Sequence, residues 1–196
     1  MTIEIIEPSS ENDMISTFLL AEIASSRFGE SVLNSVRMIG GDRVLIENPN
    51  VNDSNENDLR RSMLMNYRGH YFNGFPNNVV WNRGELKITD IDKLRTINFD
   101  YWLDFLDNTR KITTVAGKIR RGSQYQDEPN DIFFQIAQSQ EQLAVNPVIL
   151  VGQHLDNLTI LEGHFRLVAI LLQERPNQVI PAIIGLSKNM DNWVLY

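Results

Sequence analysis

The chain of 196 residues has no cysteine. This absence excludes disulfides, thiolate catalysis and cysteine metal sites, and it fits a protein of the reducing cytoplasm. No apolar run approaches the roughly 18 residues that a membrane-spanning helix needs. Residues 1–7 also lack the basic and long apolar regions of a signal peptide. We therefore expect a cytoplasmic protein with no membrane partner.

Positive charge is also scarce. The chain carries 18 Lys and Arg against 25 Asp and Glu, which gives a formal net charge of −7. Since non-specific binding of nucleic acid needs a basic face, this balance disfavours that function. Residues 110–122 are a local exception because they hold several Lys and Arg and no acidic residue. This basic stretch is either a solvated helix face or a local contact surface for DNA.

Residues 1–125 show the apolar spacing of several helices. Ser9 and Ser10 are suited to cap the first helix, which Gly29 is expected to end. The same spacing predicts further helices at 31–38, 56–67, 89–107 and 112–121. Residues 47–58 are rich in the Asn, Asp and Ser that favour surface loops. We expect a mostly helical N-terminal region.

Residues 126–196 have a different character. The pattern predicts a helix at 130–143, a hairpin of strands at 148–151 and 158–161, a helix at 167–174 and a strand at 179–185. This order indicates an α+β core in which helices pack around a small mixed sheet. We expect the two regions to form one compact unit.

The strongest candidate for a functional site is Glu162-Gly163-His164-Phe165-Arg166, where the second hairpin strand passes into a helix. The first amides of a helix have no internal partner and favour anions, and glycine lets a ligand approach the backbone. His164 can donate a hydrogen bond and carry charge near pH 6–7. Arg166 offers a planar fork for phosphate oxygens. The pattern predicts a phosphate-binding turn.

Glu162 is unexpected in such a turn because its carboxylate repels phosphate. It could hold Arg166, bind a metal that accompanies a nucleotide, or act as a general base. In the alternative interpretation, Gly163 ends the strand, His164 caps the helix and Arg166 pairs with Glu162 on the surface. Five residues are a weak motif, and both interpretations stay open.

The region from about 132 to 186 resembles the ParB/sulfiredoxin-like superfamily (the ParB N-terminal-like fold). Its members share a helix, a hairpin, a Gly-x-x-Arg turn that opens a helix, and a strand. The turn here is most similar to the Asp-Gly-His-His-Arg turn of ParB-like free-serine kinases, with Glu162 in place of Asp. The turn of ParB partition proteins holds the triphosphate of CTP, and that of sulfiredoxins holds an ATP phosphate.

This resemblance implies a ParB/sulfiredoxin-like core after the mostly helical region, with a nucleotide at Gly163, His164 and Arg166. The absence of cysteine excludes sulfiredoxin chemistry, whose nucleophile is a thiolate. The whole chain also resembles a family of uncharacterised bacterial proteins. That similarity lies at Ala21-Glu22-Ile23, Arg27-Phe28-Gly29, Trp81, Tyr101-Trp102, Thr109-Arg110, Trp193 and Leu195-Tyr196.

Three functions remain as hypotheses. In the first, Gly163, His164 and Arg166 bind a nucleoside di- or triphosphate with Mg²⁺, and Glu162 and His164 act in phosphotransfer or hydrolysis. In the second, the chain is a ParB-like DNA-binding protein or nuclease, which the acidic net charge disfavours. In the third, it is a non-enzymatic interaction module that binds a partner or forms a homodimer. We favour the first as a binding site and leave open whether the chain is an enzyme.

Overall fold

The computed structural model of the chain describes residues 3–103, 106, 109–124, 130–138, 146–173 and 178–196. It has a mixed α/β architecture with one five-stranded sheet. The strands are β1 Glu4–Pro8, β2 Val80–Lys87, β3 Val148–Gly152, β4 Leu158–Glu162 and β5 Val179–Leu186. The α-helices are α1 Glu11–Ile23, α2 Gly29–Met38, α3 Val44–Glu47, α4 Ser54–Arg68, α5 Asp100–Leu103, α6 Ile112–Arg120, α7 Asp131–Gln138 and α8 His164–Gln173. Short 3₁₀ helices occupy Gly69–Phe72, Ile88–Lys93 and Met190–Asn192.

The sheet has the strand order β1-β2-β5-β3-β4. The neighbours β3 and β5 run parallel, with Leu150 opposite Ile184, and the other pairs are antiparallel. A parallel pair needs a crossover connection, which the chain supplies through β4 and α8. The turn at 162–166 therefore lies inside the crossover that joins two neighbouring strands of the sheet.

The sheet combines both regions of the sequence. β1 and β2 come from residues 1–125, and the other three strands come from residues 126–196. The apolar spacing predicts neither β1 nor β2. In β2, Asn82 and Gly84 have little tendency to form strands. Antiparallel pairing of β2 along the whole of β5 overrides that tendency. Gly84 also lets β1 approach, since a Cβ there would lie 2.5 Å from the Glu4 carbonyl oxygen.

The first helix begins as predicted but ends earlier. Ser10 caps α1 in a capping box, because its hydroxyl accepts from the Asp13 amide while the Asp13 carboxylate accepts from the Ser10 amide. The prediction that Gly29 ends this helix is wrong, since α1 ends at Ile23 and Gly29 begins α2. A Cβ on Gly29 would lie 2.6 Å from the Ile23 carbonyl oxygen, so this glycine allows the sharp corner between the two helices.

The predicted helix at 89–107 is wrong over most of its length. The 3₁₀ helix at Ile88–Lys93 gives way to extended backbone at Leu94. The Arg95 amide then donates to the Leu158 carbonyl at 3.0 Å, and Arg95 accepts from the Ile160 amide at 2.8 Å. These two bonds cover part of the edge of β4, so pairing with a distant strand replaces the local preference for helix. Within 100–107, the structure describes only the short helix α5 and residue 106.

The other predicted elements of residues 110–196 are confirmed. The hairpin, the final strand and the helix at 112–121 are observed as β3–β4, β5 and α6. The helix predicted at 130–143 is observed as α7, and residues 139–143 lie outside the described part of the chain. Helices α6 and α7 both pack against α8, so the helix that follows the turn is held on two sides.

The aromatic residues between α4 and β2 pack inside the protein. The ring of Phe75 stacks on Trp81 with centroids 6.4 Å apart and meets Trp193 edge-on at 5.3 Å. Trp81 and Trp193 are buried, and the indole N–H of Trp193 donates to the Tyr71 carbonyl. These contacts use part of the aromatic surface of this segment for packing inside the protein. No helix in the described part of the chain combines the length and apolarity that crossing a bilayer requires.

Candidate functional site

The turn between β4 and α8 requires glycine. Gly163 has a φ of +103°, a conformation that L side chains rarely adopt. A Cβ at this position would also lie 2.7 Å from Cγ1 and 3.0 Å from Cβ of Val148. Because Val148 is buried in β3, it cannot move aside freely. The glycine therefore sets how β4 enters α8.

Glu162 and Arg166 form an ion pair across this turn. Their side chains are only 12% and 11% exposed, so the pair is buried and does not lie on the surface. The Arg166 guanidinium also donates to the backbone carbonyls of Asn146 and Pro147. Arg166 thus fastens the turn to the residues before β3, and much of its donor capacity is used inside the protein.

Burial raises the pKa of the Glu162 carboxyl. Its pairing with Arg166 acts in the opposite direction, while the nearby charge of Glu22 raises the pKa further. Two carboxylates from distant parts of the sequence therefore influence each other at this site.

His164 is buried and neutral. The Ile97 amide donates to its Nε2 at 3.3 Å, and the Trp102 ring stacks on it with centroids 4.7 Å apart. Burial, with a smaller contribution from the charge of Arg110, lowers the pKa of His164 to about 3. The expected charge near pH 6–7 is therefore wrong. With Nε2 accepting a hydrogen bond, the neutral ring carries its proton on Nδ1.

The stability of the protein should depend on keeping His164 neutral. A histidine whose pKa falls from 6.5 to about 3 on folding stabilises the fold fully above pH 6.5 and loses that contribution as the pH falls toward 3. Between pH 7 and pH 4.5, wild type should lose about 2.5 kcal/mol more than His164→Gln, which keeps an acceptor for the Ile97 amide. Urea unfolding at both pH values measures the difference. Equal losses would mean that His164 keeps an ordinary pKa in the fold.

Glu162, Gly163, His164 and Arg166 all line one cavity of about 550 Å³. The opposite wall comes from the α1–α2 corner and the end of α4, in the N-terminal region. Its volume lies within the range of about 300–1,000 Å³ that is typical of small-molecule sites. The structure thus brings the predicted site residues together at a cavity that both regions of the sequence build.

Glu22 and Arg68 are the charged pair of the opposite wall, with Arg68 Nη2 3.3 Å from the Glu22 carboxylate. The hydroxyl of Tyr67 also donates to Glu22. The Arg68 guanidinium lies 4.6 Å from the ring centroid of Phe28 and 4.9 Å from that of Tyr71. Its Nε is buried and has no hydrogen-bond partner among the described residues. Arg68 is therefore held rigidly at the cavity with one donor unused.

A second arginine and several aromatic rings complete the cavity. The Arg27 guanidinium lies 5.2 Å from the Tyr101 ring and 4.8 Å from the Phe165 ring. Phe165 lines the cavity and stacks on Phe133 with centroids 4.5 Å apart. The site therefore combines arginines with flat apolar surfaces.

Among the described residues, the carboxylates that line the cavity are not free to hold Mg²⁺. Each of these carboxylates is already paired with a guanidinium, Glu22 with Arg68 and Glu162 with Arg166. The described residues contain no group of three or more His, Asp or Glu side chains placed to hold a metal. A divalent cation prefers oxygen ligands whose negative charge is free. The metal-binding role considered for Glu162 does not fit this arrangement.

The basic stretch at 110–122 is only partly available to a nucleic acid. Arg110 turns inward, where its guanidinium donates to the carbonyls of Thr96, Leu195 and Tyr196. Arg120 donates to the Leu171 carbonyl on α8. These bonds tie α6 to the rest of the fold and weaken the observation on which the DNA-binding hypothesis depends.

Comparisons with known proteins add no assignment. No family model, no curated protein and no solved structure matches the chain. Since a fold hosts many functions, the function has to be argued from the site itself.

Proposed function

We propose that this protein binds a nucleotide in the cavity beside Gly163. One observation carries the proposal: the turn at 162–166 shares a single cavity with Arg27 and Arg68 of the N-terminal region. Arginines supply the charge-assisted hydrogen bonds that phosphates need. They stand here beside the first turn of α8, whose dipole also favours an anion.

The two kinds of surface in the cavity suit the two parts of a nucleotide. The rings of Phe28, Tyr101 and Trp102 offer flat apolar surface, on which a base can stack. Arg68 lines the cavity, and its guanidinium supplies the positive charge that a phosphate needs. Arg166 serves instead as the residue that positions the turn, because Glu162 and two carbonyls already occupy its guanidinium.

We also propose that residues 126–196 have the ParB/sulfiredoxin-like arrangement. The order α7, β3–β4 hairpin, glycine turn, α8 and β5 supports this proposal. A reaction at the site, phosphotransfer or hydrolysis, would use Glu162, because its raised pKa suits a general base. His164 would act as a neutral support for the turn through its bond to the Ile97 amide.

Isothermal titration with nucleoside mono-, di- and triphosphates tests the binding proposal. We expect at least one triphosphate to bind at submillimolar concentration, with affinity that persists in EDTA because arginines neutralise the phosphates. Arg68→Met should weaken that binding at least about tenfold, the loss expected for a charge-assisted hydrogen bond. Assaying the same mixtures for released phosphate would separate binding from turnover.

Arg61→Met is the matched control. Arg61 lies on the same helix, pairs with Glu11 at 2.7 Å and does not line the cavity. This variant should bind as wild type does. The proposal fails if no nucleotide binds at millimolar concentration, or if Arg68→Met and Arg61→Met bind equally well.

A further inference from the structure

Arg95 is a partly buried arginine outside the cavity. Its Nε and Nη2 are buried and have no hydrogen-bond partner among the residues that the structure describes. Its guanidinium lies over the ring of Tyr196, whose centroid is 4.8 Å away. Leaving charged donors unpaired inside a protein is costly, so such atoms call for a partner such as an ion.

A second arginine lies beside it. Arg110 has a φ of +53°, rare for a residue with a side chain. Its guanidinium is fixed by the carbonyls of Thr96 at 3.0 Å and Tyr196 at 2.7 Å. Burial and then the charge of Arg95 lower the pKa of Arg110 to about 10. The backbone thus holds two like charges close together, an arrangement that an anion would stabilise.

A buried hydroxyl completes the cluster. Thr159 on β4 pairs with Arg95 in a parallel bridge, which places both side chains on the same face of the sheet. Its side chain is fully buried, and its Oγ1 has no hydrogen-bond partner in the described part of the chain. A hydroxyl can donate to the same oxyanion that the Arg95 guanidinium binds.

We propose that Arg95 and Thr159, next to the charge of Arg110, form a second binding site, for a single oxyanion group such as a phosphate. None of the three residues lines the cavity described above, so this site does not depend on nucleotide binding there. Arginine forks fit tetrahedral and planar oxyanions alike, and the test below separates phosphate from carboxylate.

Thermal melting in inorganic phosphate tests the proposal. Sodium chloride at equal ionic strength is the reference, and sodium acetate tests whether a carboxylate has the same effect. The Tm of wild type should rise by about 5–11 °C once phosphate exceeds its dissociation constant about a hundredfold. Arg95→Met should abolish the rise. Without phosphate this variant should melt at or above the wild-type Tm, since it removes unpaired buried donors. A purely structural Arg95 would instead make the variant melt lower in every buffer.

Two further variants test the phosphate site independently of Arg95→Met. Thr159→Val preserves the shape of a strand residue and should weaken phosphate binding about fivefold by titration, even if Arg95→Met fails to fold. Arg68→Met alters the nucleotide cavity and should keep the full phosphate effect. The proposal is overturned if wild type gains no stability from phosphate. The proposal is also overturned if phosphate still raises the Tm of Arg95→Met. The same holds if phosphate raises the Tm of Arg95→Met but not that of Arg68→Met, because the phosphate would then bind in the nucleotide cavity. A larger gain in acetate than in phosphate would overturn the choice of phosphate.

Discussion

Replacing Arg60 by Met should lower the free energy of unfolding by about 3 kcal/mol. The side chain of Arg60 is 1% exposed. It donates to the carbonyls of Leu45 at 3.1 Å and Asn50 at 2.8 Å, and to the side chains of Glu56 at 2.9 Å and Asn57 at 2.6 Å. Methionine occupies a similar volume but donates to none of these oxygens. These oxygens are part-buried, and all four hydrogen bonds from the buried guanidinium would be lost.

Urea unfolding measures this change, and the Tm should fall by about 6–12 °C for a chain of this size. Arg61→Met is the matched control because it removes the next arginine of the same helix, whose side chain is 42% exposed. Its pair with Glu11 is exposed to solvent and should contribute under about 1 kcal/mol. Equal losses of unfolding free energy in the two variants would show that the hydrogen bonds of Arg60 to Leu45 and Asn50 do not stabilise the fold.

The buried position of Arg60 could not be predicted from the sequence. The Asn-rich and Asp-rich residues 47–58 predict a solvated loop. The loop is observed only between the end of α3 at Glu47 and the Asp53 cap of α4, so the prediction is wrong for residues 54–58, which are helical. Nothing in the local pattern indicates that Arg60 folds underneath and binds the loop carbonyls. Hydrophobic periodicity reports which face of a helix is apolar, and a charge buried by its own hydrogen bonds leaves no such signal.

The same limit explains the errors in the fold. The β3–β4 hairpin is predicted because a short β-branched run, a turn and a second run lie within 15 residues of sequence. β2 pairs with β5, about 100 residues away, through a strand that contains Asn82 and Gly84. Pairing over that distance is set by the tertiary structure, so local propensity missed it.

The candidate site also has one part that the sequence predicts and one part that it does not. Its near wall, Glu162 to Arg166, is a contiguous motif with recognisable chemistry. Its far wall is Glu22 and Arg68, which lie on two helices and read in sequence as ordinary polar positions. The sequence also does not indicate that His164 is neutral, because its lowered pKa results from burial beside Trp102. The turn could be predicted from sequence, whereas its partners required the fold.

Replacing Gly163 by Ala should lower the free energy of unfolding by about 3 kcal/mol and weaken nucleotide binding in the proposed cavity. An alanine at a φ of +103° is strained, and its Cβ would lie 2.7 Å from Cγ1 of Val148. It would also lie 3.3 Å from Nη2 of Arg166. Because Arg166 holds Glu162, the whole turn should shift. Urea unfolding and nucleotide titration on the same samples measure both effects.

Two further variants separate backbone strain from the contact with Val148. Gly40 has a φ of +65°, and a Cβ there would have no atom within 4 Å. Gly40→Ala therefore carries only the backbone strain, about 1 kcal/mol. Adding Val148→Ala to Gly163→Ala should restore about 1 kcal/mol relative to the sum of the two single changes, since the smaller side chain makes room. If the free-energy changes of Gly163→Ala and Val148→Ala were strictly additive, the destabilisation by Gly163→Ala would come from backbone strain alone. A Gly163→Ala protein as stable as Gly40→Ala would mean that the turn tolerates a side chain, which the closeness of Val148 to Gly163 argues against.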